Sequence, residues 1–160
     1  MGGKLTDTDK GYAGMVREFK RLAKGRHVVI GIRGDKGAVK EEGAELTVVE
    51  YAAVNEFGSD DGRVPERSFM RSTFDEGKAK YTAELKRGVG SLLDGNGTLD
   101  AVLGRLGLRV QGDIQKKLAT GEGLPPPNAA ATIARKGSSH TLIDSGRMRQ
   151  SIDFEVRNRK

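Results

Sequence analysis

A few acidic, hydroxyl and histidine side chains are the places where this 160-residue chain could do chemistry. Ser145 follows Asp144 in "IDSG". A working nucleophile needs an adjacent base and an oxyanion hole, and no G-x-S-x-G context surrounds this serine, so it reads as a helix cap. The two histidines, His27 and His140, are far apart and have no carboxylate or thiol at ligand spacing; structural or solvent-facing roles follow. "GIRGDKG" (31–37) has the glycines of a phosphate loop but lacks the Lys-Ser/Thr that opens the following helix, and no helical pattern comes after it. It reads as a hairpin turn. Asp60 and Asp61 adjoin in a loop, without the six or more oxygens that calcium requires. Cysteine is absent, which removes disulfides and thiolate metal sites. The expectation is a protein with no catalytic residues, no metal and no cofactor.

These residues sit on elements that the apolar spacing defines. Over Asp7 to Lys24, Tyr12, Met15, Phe19, Leu22 and Ala23 recur at helical spacing, with Asp7 or Thr8 as cap. "HVVIGIR" (27–33) is a β-branched strand, and turn signals around "AVK" suggest a hairpin-like return strand. Thr47 caps a short helix whose apolar face is Val48, Tyr51, Ala52 and Phe57, and Gly58 ends it. After the loop from Ser59 to Pro65, a helix opens at Ser68 with a stripe of Met70, Phe74, Tyr81 and Leu85, and stops near "RGVG". Thr98 caps the longest run, Leu99, Val102, Leu103, Leu106, Val110, Ile114 and Leu118, which ends at Gly121 or Gly123. Residues 121–140 are Pro-rich and read as an irregular, mobile loop, since three successive prolines forbid helix. A turn capped at Asp144 or Ser145 sends Met148 and Ile152 inward. A terminal strand then places Ile152, Phe154 and Val156 on one face.

The order helix, strand, helices, strand predicts an α+β fold in which a small, mainly antiparallel sheet packs against several helices, with a long amphipathic helix and a C-terminal strand. The length suits a single domain over residues 1–160, which buries roughly two-thirds of its unfolded surface. No apolar run has the ~20 residues of a membrane span or the core of a signal peptide, so a soluble protein made in the cytoplasm is expected. The net charge of +6 admits a polyanion partner. Acidic residues are interleaved through the middle of the chain, and an ordinary solvated basic face accounts for the same charge.

Taken in order, "VEYAAVNEFG", "VPERSFMRSTFDE", a long helix and "LPPPNAAATIARKGSSHTLIDSGRMRQSI" resemble the neck and tail-completion proteins of long-tailed bacteriophages, including the minor tail protein Z group and proteins of Mu-like prophages. The resemblance spans residues 28–156. Ser68, Ser145 and Met148 stand where that family often has Pro, Thr and Leu. It implies a structural virion protein at the head-tail junction, with no enzyme activity. It also implies a homo-oligomeric ring, expected as a hexamer, that meets the tail terminator or tail tube and the head-closure or adaptor proteins. Genomic DNA would pass through the lumen without sequence-specific binding.

On that reading the segment from Asn55 to Arg71 is a contact surface: Asn55, Glu56, Phe57, Arg63, Pro65, Glu66, Arg67, Phe69 and Arg71. Phe57 and Phe69 would anchor the loop to the core, Pro65 would stiffen it, and Arg63, Arg67 and Arg71 would offer forked donors to a neighbour's carboxylates. Alternatively, Glu56 and Arg67 pair within one subunit and the aromatics are core. Pro125, Pro126 and Pro127 form a second candidate surface that docking would order, the alternative being a free linker. A basic nucleic-acid-binding module is the competing function; it lacks a recognition-helix signature and aromatics for base stacking.

Overall fold

The computed structural model describes residues 11–40, 43–137, 142 and 146–159. Its elements are α1 (Tyr12–Ala23), β1 (His27–Ile32), α2 (Gly34–Ala38), α3 (Val48–Phe57), α4 (Met70–Leu93), α5 (Leu99–Thr120), α6 (Ala130–Lys136), α7 (Arg147–Ser151) and β2 (Ile152–Arg157). The fold is α+β, as the element order predicts. β1 and β2 pair antiparallel in register from His27 opposite Arg157 to Ile32 opposite Ile152, so strands far apart in sequence form one ribbon.

The ribbon lies on α5, the central helix. Thr98 caps α5, accepting from Ala101 N, and Gly121 ends it in the left-handed conformation. The expected stripe holds: Leu99, Val102, Leu103, Val110, Ile114 and Leu118 are buried, with Leu106 packed at the core's edge. One part of the core gathers Val110, Ile114 and Leu118 with Val48, Ala52, Phe69, Tyr81, Met148 and Ile152. Leu92, Leu99, Val102 and Leu103 form a second part, against which Val28 and Val156 pack.

Several expectations are corrected. "GDKG" is the short helix α2 instead of a hairpin turn, and the return strand reduces to an isolated bridge between Lys40 and Thr47. Helix α4 runs through "RGVG" to Leu93, because Gly88 is a packing position: a Cβ there would overlap the side chain of Val102 on α5. Its buried stripe is Thr73, Tyr81, Gly88 and Leu92, while Phe74 and Leu85 face outward. The region 121–140 is not irregular throughout, since α6 lies within it; the prolines keep only the stretch before Ala130 out of helix. Caps expected at Asp7, Thr8, Asp144 and Ser145, and the role of His140, lie outside the described residues.

Helix α1 departs most from its apolar pattern. Tyr12 and Leu22 are exposed, and its one buried residue is Glu18. Glu18 Oε2 accepts from Leu99 N at 2.9 Å, placing a carboxylate at the N-terminus of α5 where the helix dipole favours it. Asp100 adds to this joint, accepting from Arg26 at 2.7 Å and Arg21 at 2.5 Å. The same bonding holds its carboxyl below the usual range, Arg26 first and Arg21 with it outweighing desolvation. Asp153 is also lowered, by Lys36 and by its bond from Phe154 N. A carboxylate with a depressed folded pKa stabilises the fold above its unfolded pKa, near 4, and loses that contribution as pH falls through the folded value. Thermal melts are therefore expected to be flat between about pH 7 and pH 5 with respect to these groups and to fall below about pH 4. A melting temperature that rises on acidification through that lower range would contradict this linkage.

Candidate interaction surface

The stretch from Asn55 to Arg71 begins on the last turn of α3. Thr47 and Glu50 start that helix with a reciprocal capping box, and Gly58 turns the chain out of it at positive φ. A Cβ on Gly58 would meet the Glu66 and Val64 backbone, so the returning chain passes close by. Asp61 organises the loop, accepting from Ser59 Oγ at 2.6 Å and Arg63 N at 3.0 Å. Those two bonds hold its carboxyl below the usual range. The loop's acids thus shape a turn.

Glu56 is the hub. Its side chain accepts from Ser68 Oγ at 2.8 Å, Met70 N at 2.9 Å, Arg71 N at 3.0 Å and Arg71 Nε at 3.3 Å. Helix α4 has no capping side chain of its own at Phe69, so a carboxylate 14 residues upstream satisfies its first amides. Arg67 N donates to Asn55 O at 2.8 Å, and Asn55 Nδ2 to Tyr51 O at 2.8 Å. The Arg67 guanidinium reaches the proline segment, where Nε donates to Pro126 O at 2.9 Å and Nη2 to Pro127 O at 3.4 Å. Phe69 is fully buried.

Asn55, Glu56, Arg67 and Phe69 therefore face inward, committed within the chain. Arg67 does not pair with Glu56; it takes carbonyls, and Glu56 takes Arg71. Phe57 is not a core anchor: it is 65% exposed, with the Arg71 guanidinium 5.2 Å from its ring centroid. Arg63 pairs with Asp61 at 3.2 Å, and Arg71 also with Glu66 at 2.5 Å. Phe57, Arg63, Glu66 and Arg71 remain outward, Pro65 is half-buried, and Pro125, Pro126 and Pro127 are exposed above the Arg67 clamp. Phe74, one turn along α4 from Arg71, is 51% exposed and extends the aromatic surface; its ring lies 6.0 Å from that of Tyr81. The sequence placed Phe74 in the core because helical spacing cannot tell which side of a stripe meets another element.

His27 Nδ1 lies 2.7 Å from Gly25 O, a local backbone contact. Among the described residues, no group of three His, Cys, Asp or Glu side chains could hold a metal ion, and no helix is long and apolar enough to cross a membrane. Between α4 and α5, Tyr81 donates to Asp113 at 2.8 Å, and Lys80 joins at 2.6 Å. Burial first, then the Asp113 bond, pushes the Tyr81 hydroxyl well above its ordinary pKa, so it remains a donor. Gly77 makes room for this ring, since a Cβ there would overlap it.

Comparison of the chain with family models, curated proteins and solved structures finds no match.

Proposed function

We propose that this chain is a structural virion protein of a tailed bacteriophage, a neck or tail-completion subunit that forms a ring at the head-proximal end of the tail and joins it to the neighbouring connector proteins. The observation that carries the reading is the convergence of the segments on which the resemblance rests. Glu56 of "NEFG" caps the helix that "PERSFMR" opens, and Arg67 of that segment grips the carbonyls of "PPP". Motifs distant in sequence are thus parts of one joint, which accounts for their occurring together in a set order. The joint leaves Phe57, Arg71 and Phe74 outward beside its hydrogen-bonded core. Exposed aromatic and guanidinium groups suit heterologous contact between ring subunits.

Light scattering on a size-exclusion column, with and without short duplex DNA at moderate salt, tests the reading. The expected result is a ring with a mass several times 17.2 kDa, or a monomer that requires its neighbours to assemble, with no DNA carried through the column. A protein-DNA complex that survives moderate salt overturns it in favour of a nucleic-acid-binding module.

A further inference from the structure

The outer groove between α4 and α5 holds a concentration of positive charge that the contact surface does not use. Arg87 and Ser91 on α4, and Arg105 and Arg109 on α5, line a polar groove of about 240 Å³, with Glu84 as its one acid. Arg109 Nε donates to Glu84 Oε2 at 3.4 Å. Arg87 and Arg105 have no acidic partner among the described residues. That sets them apart from Arg21, Arg26, Arg33 and Arg71, each of which is matched to a carboxylate. Gly88 lies in the floor of the groove, where close approach of the two helices brings the cationic side chains to one space.

Three guanidiniums around a single carboxylate repel one another, and an incoming anion relieves that repulsion while using donors the fold leaves open. Among the described residues, the same pair of helices carries a further unpaired cation. Lys116, seven residues beyond Arg109 and so roughly 10 Å along the axis, lines a further groove with Lys80 and Lys117 and the acids Glu76, Asp113 and Glu122. Lys80 and Lys117 are held by Asp113 and Glu76, whereas Lys116 has no acidic partner among the described residues. A small anion fills only the first position. An extended polyanion with regularly spaced charges reaches both.

We propose that this groove binds the phosphates of a nucleic-acid backbone, independently of sequence, with Arg87 and Arg105 as the principal contacts and Lys116 as the next along the line. The site does not depend on ring formation. Its contacts are solvent-exposed, so binding weakens steeply with salt.

The test is fluorescence anisotropy of a labelled mixed-sequence 20-base-pair duplex titrated with the full chain at 50 and 200 mM NaCl. Three phosphate contacts give a salt slope near −2.7, so binding is expected to weaken roughly 40-fold between the two conditions. The double variant Arg87→Gln, Arg105→Gln should bind about tenfold more weakly at 50 mM, with its slope reduced by nearly two. Lys20→Gln with Lys24→Gln on α1, which removes the same charge elsewhere, should change affinity less than twofold. Circular dichroism melts of both variants should match the parent, as all four side chains are exposed. The proposal is overturned if the parent chain does not bind at 50 mM, if the two double variants lose affinity equally, or if the slope is unchanged in the groove variant. Displacement of the duplex by polyglutamate as effectively as by unlabelled DNA would assign the groove to an acidic protein segment instead.

Discussion

Glu56→Ala is expected to remove about 3 kcal/mol of stability, the cost of breaking a buried charged hydrogen-bond hub. The carboxylate is 4% exposed as a residue and receives two backbone amides of the first turn of α4, the Ser68 hydroxyl and Arg71. Alanine leaves those amides without a partner at a helix start that has no other cap. Arg71 is half-exposed and recovers water, so the loss stays near the lower end for a broken buried pair. For a chain of this size, about 3 kcal/mol corresponds to a fall in melting temperature of roughly 6–12 °C. Glu56→Gln keeps an acceptor but not the charge, and about half the loss is expected. Urea unfolding of the three proteins measures both, and a loss below about 1 kcal/mol for Glu56→Ala would mean that α4 starts without this cap. The functional consequence is specific: the aromatic surface at Phe57 and Phe74 flanks this joint, so loosening it should disperse the surface before the core melts.

The second large effect falls on two glycines three residues apart in α5. A Cβ at Gly107 would stand 2.6 Å from Phe154 Cγ and closer still to the ring edge, and the ring is fixed by the strand that carries it. Gly107→Val is expected to cost about 3 kcal/mol through overpacking, more than the gain from replacing a helical glycine. Around Gly104 an added Cβ meets nothing within 4 Å. Gly104→Ala should therefore stabilise the protein by about 0.5–1 kcal/mol through helix propensity. Opposite signs from two neighbouring glycines, read by urea unfolding, are the expected result. Equal effects would show that Phe154 does not seat the ribbon on α5.

Local signals in the sequence determined most of the elements. The run from Leu99 to Leu118, the Thr47 and Thr98 caps, the Gly58 and Gly121 stops and the alternation of Ile152, Phe154 and Val156 each state their structure within a few residues. Hydrogen bonds and apolar periodicity act over one or two turns, so such features are legible without knowing the fold. The α+β class followed from their order.

Three things were decided only by tertiary packing. The partner of β1 is the terminal strand, because α5 offers an apolar bed long enough for both strands, whereas "AVK" has nothing to lie on. Gly88, which read as a stop, proved to be a place where two helices approach, and Gly107 makes room for the Phe154 ring, since a missing Cβ signals either a stop or a close approach and only the neighbour distinguishes them. The charged residues from Asn55 to Arg71 divided into an inner set that caps and clamps and an outer set that faces water. A buried carboxylate is stable only where enough donors surround it, and for Glu56 those donors come from residues 12 to 15 places further along the chain. Sequence supplied the residue types. The fold chose which of them remain available to a partner.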